Sequence, residues 1–351
     1  MPSYASNPRT LVDPRTSSMA DRYAEEARDQ VFEPNLILNL FYNIGKKLEP
    51  GVQGSGLSNI IGAMGAQKPV VRYENSDLVQ IPLVFGQSTN TAAFDGGDVF
   101  STAIDEGLTK AWSEWAFYTD YATLYQTDVW RNMGQAKLLD RQMEQIDAMY
   151  RTLGLAIETD WWSTNTDVAI GSQKEIPGVR HLLGTTAATG TRLGVNAANF
   201  TFWRHNVDTV GSFATNGLDK LDSMWQSCSG NVFHDPPNLH VTTGTVLRYY
   251  NKGAEGIHRL TNGLTSVDLG VGMSFYKQKP VLACDLQTSG YWHMLNTNYL
   301  RMYIHSGVNF ITEKPASPNN QAIAMQTRVY AGLTWGYVRA DRHGLLSGIT
   351  A

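Results

Sequence analysis

From Asp128 onward the apolar residues Leu139, Met143, Ile146, Tyr150, Leu153, Ile157 and Trp161 recur at steps of three and four, which places them along one side of a helix. Lys137, Arg141, Glu144, Asp147, Arg151 and Glu158 fall largely off that seam. Arg141 with Glu144, and Asp147 with Arg151, stand at the spacing of neighbouring turns. Asp128 suits an N-cap, so the pattern predicts one helix over 127–162, on the order of 50 Å long at about 1.5 Å per residue. Gly134 and Gly154 each cost roughly 1 kcal/mol against alanine, whereas burying the seam returns roughly 10 to 20 kcal/mol as an upper bound. The helix survives its glycines.

The pattern before this helix has a period of two. Val79, Ile81 and Leu83 alternate with Gln80, Pro82 and Val84, which predicts a half-buried strand that Pro82 confines to an edge. Asp95-Gly96-Gly97-Asp98 signals a turn, and Ala111 to Tyr121 alternates again, with Trp115 and Phe117 expected on one face. Together these predict a long hairpin that must lie on another surface, because an isolated hairpin is marginal in water. Leu36 to Leu48 is a short apolar helix or strand, and Gly51 to Gly65 a glycine-rich bend.

Behind the helix, the turn Ile176-Pro177-Gly178 precedes helices at 217–226 and 244–252 and strands at 239–242, 274–276, 281–286 and 300–305. A final strand at 322–333 alternates Met325, Thr327, Val329, Ala331 and Leu333 with Gln326, Arg328 and Tyr330. The class is α+β. Leu345 and Leu346, beyond the basic turn at Arg339 to His343, must be buried somewhere, and a subunit contact is the sharper expectation over a solvated strand end.

Composition narrows the function. At 351 residues and 42% hydrophobic the chain builds a sizeable core, in two domains or one discontinuous one. A net charge of −4 with interspersed signs leaves no basic stripe for reading nucleic acid by sequence. No run is apolar enough for a membrane helix and no signal core opens the chain, so a cytosolic origin without a membrane partner is expected. Cys228 and Cys284 are packed or free thiols, not a disulfide framework. With only 17% charged residues, much surface is left for contact. Met1 to Glu33, polar and holding three prolines, reads as an arm that a neighbouring subunit holds.

Signatures of chemistry are weak. Gly54-Ser55-Gly56 and Gly45-Lys46-Lys47 lack the full spacing of a phosphate loop. Cys228, His234, Asp235 and His240 match no zinc pattern, and a loop before a strand accounts for them. No Gly-x-Ser-x-Gly elbow or His-Glu-x-x-His helix occurs, so a hydrolase is the least supported reading. Glu158 and Asp160 do not share a helix face and are expected to be solvated. No catalytic residue, metal or cofactor is assigned.

The order arm, hairpin, long helix, α+β module and returning strand carries degenerate motifs in a specific sequence: Glu158-Thr159-Asp160-Trp161-Trp162, then Gly178-Val179-Arg180-His181-Leu182-Leu183, then Gly217-Leu218-Asp219 leading to Trp225. Ile304 to Phe310, Tyr330 to Thr334 and Arg339 to Leu345 close it. In this the chain resembles the major capsid proteins of tailed bacteriophages, with the Hong Kong 97-like fold. The resemblance implies an N-terminal arm and linker over 1–65, an extended β-hairpin loop over 66–120 lying across a neighbour, and a peripheral domain from 121–190 and 309–351 with 127–162 as its spine. An axial domain over 191–308 would surround the capsomer axis, and the terminal strand would return to the peripheral sheet.

It further implies a subunit that self-assembles, as pentamers and hexamers, into an icosahedral head around double-stranded DNA held without sequence specificity. Separate scaffolding, portal and decoration proteins are expected partners, and the host cytoplasm the place of assembly. The contact residues assigned on this reading are Phe94, Asp95, Gly96, Gly97 and Asp98 at the loop tip, Arg141, Glu144 and Arg151 on the helix, and Arg339 and Arg342 near the end. Lys68 and Lys110 lie near the loop, without an identifiable partner for covalent cross-linking. An encapsulin-type compartment shell, which shares the fold and packages an enzyme, is the alternative.

Overall fold

The computed structural model describes residues 70–74, 76–86, 93, 95, 107–131, 141–166, 173–230, 235–258, 274–313, 316–317 and 324–351; at 70–74, 128–129, 131, 141–144, 146–147 and 254–258 the description is of the backbone. The arm, the apolar segment 36–48 and the glycine-rich bend lie outside these residues, as does 132–140 within the predicted long helix.

Along the chain run β1 (Val70–Glu74), β2 (Val79–Val84), β3 (Leu108–Ser113), β4 (Ala116–Tyr125), α1 (Gln126–Arg131), α2 (Arg141–Trp161) and α3 (Val179–Leu182). A ribbon β5 (Thr191–Arg192) and β6 (Val195–Asn196) and a 3-10 turn Thr201–Trp203 precede β7 (Asn206–Ser212), α4 (Phe213–Ser229), β8 (Leu239–Thr242) and α5 (Gly244–His258). Then follow β9 (Ser274–Tyr276), β10 (Lys279–Ala283), β11 (Trp292–Leu295), β12 (Leu300–His305), β13 (Ile311–Thr312), β14 (Ala324–Tyr337) and β15 (Gly344–Thr350).

Two compact units divide these elements. The smaller takes, of the described residues, those within Tyr118–Ala156 and Val308–Ala331. In it β4 pairs with β14, and β13 runs antiparallel to β14 with Ile311 opposite Tyr330 and Thr312 opposite Val329. Met149 and Leu153 of α2 are buried, and Tyr150 hydrogen-bonds Thr312 through its hydroxyl while its ring lies 6.3 Å from that of Phe310. The predicted seam thus holds at Leu153, with Met149 added and Tyr150 half-buried.

The larger unit is built on a six-stranded sheet in the order β7-β15-β11-β8-β10-β9. Helices α4 and α5 bring Phe213, Leu221, Met224, Val246 and Tyr250 onto Trp292, Met294 and Leu346 of the sheet. In the same unit β1 pairs parallel with β12, and β12 pairs antiparallel with the second half of β14, from Leu300 opposite Tyr337 to Ile304 opposite Leu333. Ile157 and Trp161, the last of the seam, are buried here, and Trp161 lies 3.8 Å from Trp335, whose indole donates to Pro177 O at 2.5 Å.

Several expectations are corrected. Leu345 and Leu346 are fully buried within the chain itself, because β15 inserts between β7 and β11 and turns successive side chains to opposite faces. The last strand therefore belongs to the sheet of β7 and β11. Trp115 and Phe117 part company: the chain breaks strand at Glu114 and Trp115, leaving Trp115 buried and Phe117 58% exposed. Met325 faces water, whereas Thr327, Val329 and Ala331 are buried and alternate with Gln326, Arg328 and Tyr330 as predicted; from Ala331 to Tyr337 β14 is buried on both faces. Glu158 is buried, accepting from Trp162 Nε1 at 3.1 Å, not solvated.

Candidate assembly surfaces

The hairpin forms as its period of two dictates. Val79 pairs with Ser113, Ile81 with Ala111 and Leu83 with Thr109 on the inner face, and Gln80 with Trp112, Pro82 with Lys110 and Val84 with Leu108 on the outer. Pro82 lacks an N–H and sits in a sheet of two strands, as an edge position requires. The inner face is anchored within the larger unit. Ile81 packs so closely on Gly336 that a β-carbon there would lie 2.8 Å from it, Ser113 Oγ and Thr334 Oγ1 hydrogen-bond at 2.7 Å, and Trp112 N donates to Leu193 O at 2.9 Å. The indole of Trp112 covers Gly194, where a β-carbon would come within 2.0 Å and φ is +76°.

The outer face ends on an apolar patch. Val84 and Leu108 are each 77% exposed, a directly paired valine and leucine held up to solvent by a ladder whose other face is buried. Phe85 continues the patch, stacked on Phe202 at 5.2 Å and edge-on to Phe200 at 6.0 Å, with Phe85 and Phe200 partly open to water. Lys110 reaches back along the same face to Gln80 Oε1 at 3.4 Å. Contiguous exposed apolar side chains of this kind mark contact sites more often than isolated ones do.

In the smaller unit, a second apolar surface runs along β4 and α1, where Tyr121, Tyr125 and Trp130 are exposed. The period of two sets Tyr121 and Tyr125 on one face of β4, and the strand's length makes that face about 30 Å long.

Of the assigned contact residues, Asp95 is exposed, while Phe94, Gly96, Gly97 and Asp98 lie outside the described residues, as does Lys68. Arg141 and Glu144 lie on the α2 backbone with side chains outside the description, and Arg151 is exposed on the same helix. Arg339 and Arg342 are engaged within the chain. Arg339 holds both carboxylate oxygens of Asp341 at 3.1 and 2.7 Å and lies over the Tyr299 ring, and Arg342 Nη1 donates to Cys228 O at 3.3 Å. They fix the turn into β15. The exposed Val84, Leu108 and Phe85 were legible only through the register, since Leu108 follows a segment with no clear period.

Features that would suggest catalysis are quiet. Burial pushes the Cys228 thiol up to about 12 and the Cys284 thiol up to about 11, so neither is a nucleophile at neutral pH. No cluster of three or more His, Cys, Asp or Glu suited to a metal occurs among the described residues, and none of their helices is long and apolar enough to cross a membrane.

No protein-family model matches the chain, and no curated protein does. Solved structures do. A subunit of the cyanophage A-1(L) capsid asymmetric unit superposes with a TM-score of 0.62 at 14% identity, covering 90% of this chain and 100% of that one. The capsid of cyanophage P-SCSP1u gives 0.59 at 11% identity over 99% of both chains. The SrpI encapsulin from Synechococcus elongatus PCC 7942 gives 0.50 at 8% identity over 91% of this chain and 96% of that one. At these identities the likeness is one of fold, and the chain has the Hong Kong 97-like fold of tailed-phage capsid proteins.

Proposed function

We propose that this chain is the major capsid protein of a tailed bacteriophage, assembling with copies of itself into an icosahedral head around double-stranded DNA. The observation that carries the proposal is the match over 99% of both chains to a cyanophage capsid subunit. A hairpin anchored on one face and ending in an apolar patch on the other agrees with it: Val84 and Leu108 await burial on a second copy. On this reading the hairpin is the extended loop over 66–120, 127–162 is the spine, 191–308 is the axial domain and 1–65 is the arm. Its work is packing, not turnover. Many modest contacts add up over a closed shell, with obligate interfaces of roughly 2,000 Å² or more each. Scaffolding, portal and decoration proteins are the expected partners in the virion, and the bacterial cytoplasm the site of assembly.

A compartment shell of the encapsulin type is the second reading, favoured by the SrpI match over 91% of the chain. Electron microscopy of the purified chain tests the shared claim, with large uniform closed particles expected and a small discrete oligomer counting against both readings. Particles isolated from their native source separate the two, since a phage head contains nuclease-protected DNA and a compartment contains a cargo enzyme.

A further inference from the structure

Three histidines of the larger unit, His205, His293 and His343, are at most 3% exposed and come from segments far apart in the chain. His205 immediately precedes β7, His293 is in β11, and His343 sits in the turn that leads into β15. Strand pairing brings the three together: Asn206 N donates to His343 O at 3.0 Å, Leu345, two residues beyond His343, pairs with Val207, two beyond His205, and Leu345 also pairs with His293 on its other side.

One nitrogen of each ring is already spoken for, and this fixes what the other can do. His205 Nε2 donates to Gly184 O at 2.6 Å, so its Nδ1 carries a lone pair. The backbone N–H of Asn296 donates to His343 Nδ1 at 3.2 Å, so the proton of that ring is on Nε2. Gln287 Nε2 donates to His293 Nδ1 at 2.6 Å, which likewise leaves the proton on Nε2. The three remaining nitrogens, His205 Nδ1, His293 Nε2 and His343 Nε2, are buried without a protein partner. One acceptor and two donors are left over.

That set is the complement of a single water molecule. We propose that one buried water is bound between His205, His293 and His343, accepting from His293 Nε2–H and His343 Nε2–H and donating to His205 Nδ1. Buried waters typically make about three hydrogen bonds to groups of this kind, and polar groups at this depth are rarely left unmatched. A metal ion does not fit, because the Asn296 amide keeps a proton on His343 Nε2, and a protonated ring nitrogen has no lone pair for a cation. A fourth histidine buried among the described residues, His240, is not part of the group: its ring packs on Tyr276 and Trp292 in the core beneath α5. The water would join the entry to β7, the middle of β11 and the entry to β15, the three adjacent strands at one end of the six-stranded sheet.

A map of the intact protein at about 2 Å, from material treated with a chelator, tests this directly. The expected result is one peak about 2.7–3.2 Å from all three ring nitrogens. A direct nitrogen-to-nitrogen hydrogen bond within the group, no peak, or a peak at about 2.0–2.1 Å that scatters anomalously at a metal edge overturns the proposal. His205→Phe supplies a second measurement: the peak should vanish and the unfolding midpoint should drop, and a variant retaining both peak and midpoint also overturns it.

Discussion

Val84 and Leu108 face each other across the β2–β3 ladder, each 77% exposed, while Ile81 and Ala111, three pairs along, are both completely buried. An odd number of register steps turns a core pair into a pair offered to solvent. Burial of Val84 and Leu108 against a second copy would return roughly 1.5–3 kcal/mol each. Val84→Asp with Leu108→Asp should therefore leave the subunit's unfolding midpoint within a few degrees of wild type and abolish large particles, as judged by sedimentation. Normal particles from the double variant would remove this patch from the assembly contact.

Arm removal probes a different part of the same reading. Deletion of Met1 to Arg28 is expected to give a folded subunit, by circular dichroism and a cooperative melt, that assembles poorly. Normal shells would refute the arm's role.

Arg192 is a buried hub: its guanidinium donates to the carbonyls of His181 at 3.3 Å, Ala187 at 3.0 Å and Thr189 at 3.1 Å, and also to that of Thr186. Lysine keeps the charge but has no planar fork to reach them all. Arg192→Lys should cost about 3 kcal/mol in denaturant unfolding, since hydrogen bonds to charged groups are each worth about 1.5–3 kcal/mol. A loss below about 1 kcal/mol would show that the 181–189 loop does not depend on it.

The turn between β9 and β10 places Lys277 at φ 47° and Gln278 at φ 64°, with Tyr276 paired to Lys279. Both central residues of this two-residue hairpin are left-handed, where glycine is favoured at the second position. Lys277 is repaid by its ion pair with Asp222 and by the Trp225 ring 3.9 Å from its Nζ. Gln278→Gly should stabilise the protein by about 1 kcal/mol, and Lys277→Gly should not, a difference that paired thermal melts would resolve.

Acid should unfold the protein steeply. Burial, the leading cause in each case, lowers His205 to about 4 and His240, His293 and His343 to about 3. The unfolded chain protonates these rings near 6.5 and the folded chain resists, so stability is full above that pH and falls as pH drops toward 4. At its steepest the loss is on the order of 5 kcal/mol per pH unit, from four protons taken up on unfolding. Calorimetry in buffers of different ionisation enthalpy counts those protons; an uptake of one or fewer near pH 5 would contradict the burial of the group.

Where a segment buries one face, its pattern was readable. The alternation at 79–84 predicted the strand, its buried residues and the edge position of Pro82. The predicted seam of the long helix located Leu153, Ile157 and Trp161 in the core. Strands β7, β11 and β15 escaped detection for a reason that can be named: Trp292-His293-Met294-Leu295 is buried on both sides, β7 is largely polar, and Gly344 to Thr350 carries two glycines. None has a period to read.

By itself the sequence determined the local elements and an order of motifs specific enough to resemble a capsid fold, because side-chain periodicity is set by the backbone and is shared at only 11–14% identity. Only the tertiary structure decided that Leu345 and Leu346 close a sheet inside the chain, that Glu158 is buried, that Arg339 and Arg342 serve a turn, and that Val84 meets Leu108 in the open. Each of those depends on which distant segment lies opposite, and pairing across hundreds of residues is chosen by the whole core at once, not by any stretch of sequence that takes part in it.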